Sequence, residues 1–173
     1  MRAYPHSQNH HLIFLFIIFI FIKIAIIKYT PLINDEAYTL TISRYFSLSY
    51  FDHPPLMSWI SHFIHIFDVN HLFLFRIPFL MCGVLTSFFI YKIASIIYSK
   101  QAGAISAIFY FISPFFFFSG GLFVVPDALL NFSIAGATYF AIRIIFENQN
   151  QGYLWFLLGT FIFVAFLSKY QSY

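Results

Sequence analysis

The chain has 173 residues, of which 61% are hydrophobic and only 9% charged, with a formal net charge of +3. Soluble domains carry about a quarter charged residues, so this chain lacks the surface that a soluble fold needs. The small positive charge is scattered over segment ends, which leaves no basic patch for nucleic acid. The single cysteine, Cys82, excludes an internal disulfide and a multi-cysteine zinc site.

The apolar residues fall into blocks, five of them long enough to suggest a bilayer crossing, which takes about 20 helical residues. The first covers residues 12–27, after a short tail (1–11) that includes His6, His10 and His11. It is no cleaved secretory signal, because the apolar run continues past Lys23 and the following Ile26, Ile27, Lys28 and Tyr29 are all bulky. The other four are 72–91, 102–118, 128–146 and 153–167. Backbone polar groups find no water in hydrocarbon, so these spans are expected as helices. Continuous apolar runs without in-out alternation speak against a barrel. The fold class expected is therefore an all-α integral membrane protein, one membrane domain with about five transmembrane helices.

Between the first two spans lies a polar segment, 34–71, expected to carry one or two interfacial amphipathic helices in the first extracytoplasmic loop. Pro54 and Pro55 suit a helix start, with Asp52 or His53 as the cap. Beyond them Leu56, Trp59, Ile60, Phe63, Ile64 and Phe67 recur at helical spacing, and Ser58, Ser61, His62 and His65 lie on the other, solvated face. A second, less regular helix is expected over 36–48. Asp68 reads as a turn residue and Glu147 as the start of a polar loop.

Orientation follows from basic residues in short loops. The connection 92–100 carries Lys92 and Lys100 and no acid, so it is assigned to the cytoplasm together with the N-terminus. Arg143 agrees, whereas Lys23 and Lys28 fall at the opposite end and are expected to snorkel, as is Arg76.

Parity of crossings yields a result independent of absolute orientation. If the second and third spans each cross once, Asp35, Glu36, Asp52, His53 and Asp127 share one membrane face, and two further crossings return Lys169 to it. Such a cluster suits chemistry on a phosphate-bearing lipid: a carboxylate as general base, others around a divalent cation that neutralises the leaving phosphate. Asp35 and Asp127 also stand where helices begin, and Asp is a favoured N-cap, so capping accounts for them equally well. His62 and His65, three apart, are a weak metal pair without further ligands. Charges gathered at span ends rather than within spans disfavour a transport pathway.

The pieces Asn34-Asp35-Glu36-Ala37-Tyr38 and Tyr50-Phe51-Asp52-His53-Pro54-Pro55-Leu56, followed by Val125-Pro126-Asp127-Ala128 and Leu167-Ser168-Lys169-Tyr170, resemble the signature of the bacterial C-type membrane glycosyltransferases. These are related to protein O-mannosyltransferases and to the aminoarabinose transferase that modifies lipid A. The resemblance implies transfer of a sugar from a polyprenyl-phosphate donor to a lipid, glycan or protein acceptor, with inversion, at the outer face of the bacterial inner membrane. It casts Asp35 as general base or acceptor-orienting residue with Glu36 adjoining, Asp52, His53 and Asp127 in metal or phosphate handling, and Lys169 facing the carrier phosphate. Members of the family are much longer, so this chain is expected to be the front part of such an enzyme, incomplete or inactive alone. The alternative is a non-catalytic remnant or accessory subunit whose acids serve as caps.

Overall fold

An apolar run in a bilayer satisfies its own backbone only as a helix. The computed structural model describes residues 8–67, 71–147 and 151–170. Eight α-helices follow one another there, and no strand occurs among the described residues. The turn expected at Asp68 and the tail residues 1–7, with His6, lie outside the described residues.

Helices α1 (Gln8–Tyr29), α4 (Leu72–Ile97) and α7 (Pro126–Phe146) are long and apolar enough to cross a membrane. Helix α8 (Gly152–Ser168) is shorter, about 25 Å at 1.5 Å per residue. The third expected span is not continuous: α5 (Lys100–Ile112) stops and α6 (Pro114–Ser119) restarts. The break has a local cause. Pro114 has no N–H for a carbonyl one turn back, and its ring drives Ser113 out of the helical region, to φ −56° and ψ 129°. After α6 the chain turns through Gly121 at φ +108°, where a Cβ would strike the Phe79 carbonyl.

Helix α4 is the centre of the bundle. It packs on α5 and α7 and touches α1, while α8 packs on α7. Small residues set the close approaches. Gly83 admits the Gly120 carbonyl, and Gly136 lets the Phe161 ring lie against the α7 backbone. Phe161 meets Phe89 of α4 edge-on at 5.4 Å and Phe132 of α7 at 5.3 Å, which joins three helices by aromatic contact. Outward-facing side chains such as Phe14 and Phe21 on α1 are apolar and exposed, as a lipid-facing surface requires.

The polar segment forms α2 (Asn34–Ile42) and α3 (Leu56–Phe67). Helix α2 is shorter than the stretch 36–48 expected for it. The expected solvation of α3 is reversed. Ser58 and Ser61 are fully buried, His62 Nδ1 and His65 Nε2 sit 2.8 and 3.0 Å from the Ser43 and Leu40 carbonyls, and Phe63, Ile66 and Phe67 point outward. Lipid, unlike water, rewards an outward apolar face, so the polar side turns to the protein. Lys23 does not snorkel either. It is fully buried, its Nζ 4.2 Å from the Phe111 ring centre and 4.9 Å from that of Phe117, because this face of α1 packs on the α5–α6 break.

Candidate active site

Several helix termini meet at one end of the bundle, and a fully satisfied buried ion pair joins the end of α1 to the starts of α2 and α4. Arg76, in the second turn of α4, donates from Nε and Nη2 to the Glu36 carboxylate at 2.8 and 2.5 Å. Its remaining donors reach the carbonyls of Ile27, Thr30 and Pro31 at 2.8, 2.8 and 3.0 Å. All five guanidinium N–H groups are thereby used. Glu36 in turn accepts from the Val124 N–H at 3.0 Å and the Ile33 N–H at 3.4 Å. Both side chains are completely buried. The expectation that Arg76 snorkels to the interface is therefore corrected: it lies inside the protein, where five acceptors replace water. The pair ties the end of α1 and the start of α2 to α4 and to the strand-like approach to α7.

Above this clamp opens a cavity of about 390 Å³, lined by Asp35, Asp52, His53, Asp127 and Lys169 along with Tyr38. These are the residues that sequence parity places on one face, with Glu36 the exception, since its carboxylate is sealed beneath. Asp35 lies in the first turn of α2, but the N-cap is Ile33, whose N–H bonds to Glu36, and the Asp35 side chain makes no cap bond. Asp127 likewise follows Val125, the N-cap of α7, and Pro126. Neither acid is a cap.

The three cavity carboxylates differ in their partners. Lys169 Nζ donates to Asp127 Oδ1 at 2.8 Å, joining the end of α8 to the start of α7, in a pair that is part exposed. Tyr38 Oη donates to Asp52 Oδ2. That hydrogen bond, with the nearby carboxylate charge, holds the Tyr38 phenol above its ordinary pKa, because losing the proton would set two anions side by side. Asp35 engages only through its backbone carbonyl, which accepts from Thr39 Oγ1 at 2.9 Å. Its carboxylate is exposed and has no hydrogen-bond partner among the described residues.

Two features escape sequence reading. Tyr38 stands one helical turn after Asp35 and so shares its face of α2, a relation that the i, i+3 spacing carries. The Glu36–Arg76 pair bridges two elements, and its only signal is a guanidinium inside an apolar span, which must find an acid.

Among the described residues, no three His, Cys, Asp or Glu side chains group closely enough to hold a metal ion. Two of the candidate ligands, Asp52 and Asp127, already have protein partners. His62 and His65 face backbone carbonyls of α2 and its following turn.

Residues 52–173, well over half of the chain, match the family described as dolichyl-phosphate-mannose-protein mannosyltransferase. The match takes in Asp52, His53, Asp127 and Lys169 and begins after Asp35 and Glu36. No curated protein and no solved structure matches the chain. The chain belongs to the dolichyl-phosphate-mannose-protein mannosyltransferase family, a family of membrane glycosyltransferases of the mannosyltransferase type.

Proposed function

We propose that this member of the mannosyltransferase family transfers a sugar from a polyprenyl-phosphate donor to a hydroxyl of a lipid, glycan or protein acceptor, and that the Asp35–Lys169 cavity is where it does so. One observation carries the reading: a carboxylate without a partner among the described residues and an ammonium from opposite ends of the chain line the same cavity at one end of the bundle.

The chemistry follows from that arrangement. Asp35 takes the proton of the acceptor hydroxyl, whose oxygen bonds to the anomeric carbon as the carbon–oxygen bond to the carrier phosphate breaks. The electron pair leaves with the phosphate, and the anomeric centre inverts. Lys169, only partly buried, turns from Asp127 toward that phosphate, and His53 lies on the same wall. A well-placed general base is worth roughly 10²- to 10⁴-fold in rate. Glu36 acts at one remove. By holding the Val124 N–H it positions the chain that leads into Asp127.

Lys92, near the end of α4, and Lys100, which opens α5, lie at the end of α4 away from the cavity, which supports a cytoplasmic N-terminus and a cavity on the extracytoplasmic face of the bacterial inner membrane. The non-catalytic alternative loses its main support, since neither Asp35 nor Asp127 caps its helix. The test is transfer of labelled sugar from polyprenyl-phosphate mannose by the protein in reconstituted membranes, with a nucleotide sugar as comparison. Transfer from the lipid-linked donor alone is the expected result; use of the nucleotide sugar alone would refute the donor assignment.

A further inference from the structure

The loop between α2 and α3, residues 43–55, is built inside out. Its polar groups bond to one another. Tyr50 Oη donates to the Tyr45 carbonyl at 2.9 Å and accepts from the Ser47 N–H at 3.2 Å, while Ser47 Oγ donates to the Ser49 carbonyl at 2.8 Å. Trp59 Nε1 ties the turn to α3 through the Ser47 carbonyl, also at 2.8 Å. Its apolar side chains point away: Tyr45 is 79%, Leu48 77% and Phe51 98% exposed. A loop meant for water shows the reverse arrangement.

The loop also lies level with the helix ends. Met57, just beyond it, packs in the core with Phe79 of α4 and Leu129 of α7. Phe79 is about 10 Å along α4 from its start at the helical rise of 1.5 Å per residue. On the other flank Tyr170 Oη, at the end of α8, donates to the Tyr50 carbonyl at 3.5 Å. Phe63 of α3 and Phe166 of α8, on two helices that touch each other, are exposed and apolar as well. Arg44, at the base of the loop, is exposed, as a contact to lipid phosphate requires.

We propose that loop 43–55 inserts into the leaflet on the acidic side, with Tyr45, Leu48 and Phe51 at the boundary between headgroups and acyl chains, and forms a lipid-held wall of the cavity. The occupant of this surface is bilayer lipid, because the loop leads into α3, which packs on the membrane-spanning α4, and is rich in the aromatic residues that favour that boundary. Asp52 directly follows Phe51 and is held by Tyr38, so the inserted loop sets the height of the cavity rim at the headgroups, open to a donor that diffuses in the membrane. That last consequence rests on the sugar-transfer reading; the insertion itself does not.

The test uses the full protein with Cys82→Ala and one new cysteine, at Phe51, at Leu48, or at exposed Gln151 at the start of α8 as reference. Each is labelled with an environment-sensitive fluorophore in phospholipid nanodiscs. At positions 51 and 48 emission shifts to the blue, and quenching by nitroxide lipid relative to aqueous iodide exceeds that at 151 by roughly threefold or more, the boundary position expected of interfacial aromatics. Iodide quenching equal to that at 151, with no response to nitroxide lipid, overturns the proposal whatever the transfer assay shows. Leu48→Cys reads the loop independently should Phe51→Cys fail to fold.

Discussion

Asp35 and Glu36 are neighbours on one helix, yet the first opens its carboxylate to a cavity while the second is sealed under four donors. A helix turns about 100° per residue, which is enough to send adjacent side chains to solvent and to core. The contrast teaches that an acidic pair in a signature need not share a role. The buried member organises the backbone, and the open member is left available for proton transfer. The clamp below is fully hydrogen-bonded and buried; the cavity above keeps one acid without a partner among the described residues and another in a part-exposed pair.

The largest effect expected is on the clamp. Glu36→Ala leaves Arg76 charged and buried, and breaking such a pair costs about 3–5 kcal/mol. Thermal unfolding in detergent should show a collapse of stability or a failure to accumulate. Replacing both partners, Glu36→Leu with Arg76→Met, removes the stranded charge and should be less damaging than either single change. A double variant no better than the singles would mean that the carbonyl contacts of Arg76, rather than its pairing, hold the helix ends.

Next comes Lys169→Met. Loss of a hydrogen bond to a charged group is worth about 1.5–3 kcal/mol, which in donor KM is roughly ten- to a hundredfold. Stability should fall by no more than about 1 kcal/mol, the usual range for an exposed pair. A large loss of stability with unchanged KM would reassign Lys169 to the scaffold.

The smallest effect belongs to Tyr38→Phe. Because the folded protein raises the Tyr38 pKa, the associated stability is present below about pH 10, the unfolded phenol value, and is lost as pH rises through the higher folded value. The native protein should therefore lose thermal stability on the alkaline side, and Tyr38→Phe should flatten that decline. An identical alkaline profile in both proteins would detach Tyr38 from Asp52.

Much of this was legible in the residues. The apolar blocks locate the spanning helices, and parity alone places Asp35, Asp52, His53, Asp127 and Lys169 on one face, where the cavity gathers them. What stayed hidden depends on directions that periodicity does not carry. Pro114 within an apolar run splits a span because the local backbone breaks, although hydropathy is continuous across it. The burial of Ser58 and Ser61 follows from lipid standing where water was assumed. Arg76 and Lys23 look alike as charges inside apolar runs, but only Arg76 meets a carboxylate; Lys23 meets the faces of two phenylalanines.

The most direct test of the division between the two neighbours compares Asp35→Asn and Glu36→Gln on two axes, thermal stability and sugar transfer from the lipid-linked donor. Asp35→Asn is expected to unfold like the native protein, within about 0.5 kcal/mol as for surface changes, and to lose transfer by roughly 10²-fold or more. Glu36→Gln is expected to lose stability first. Retained transfer in a stable Asp35→Asn protein would contradict the account.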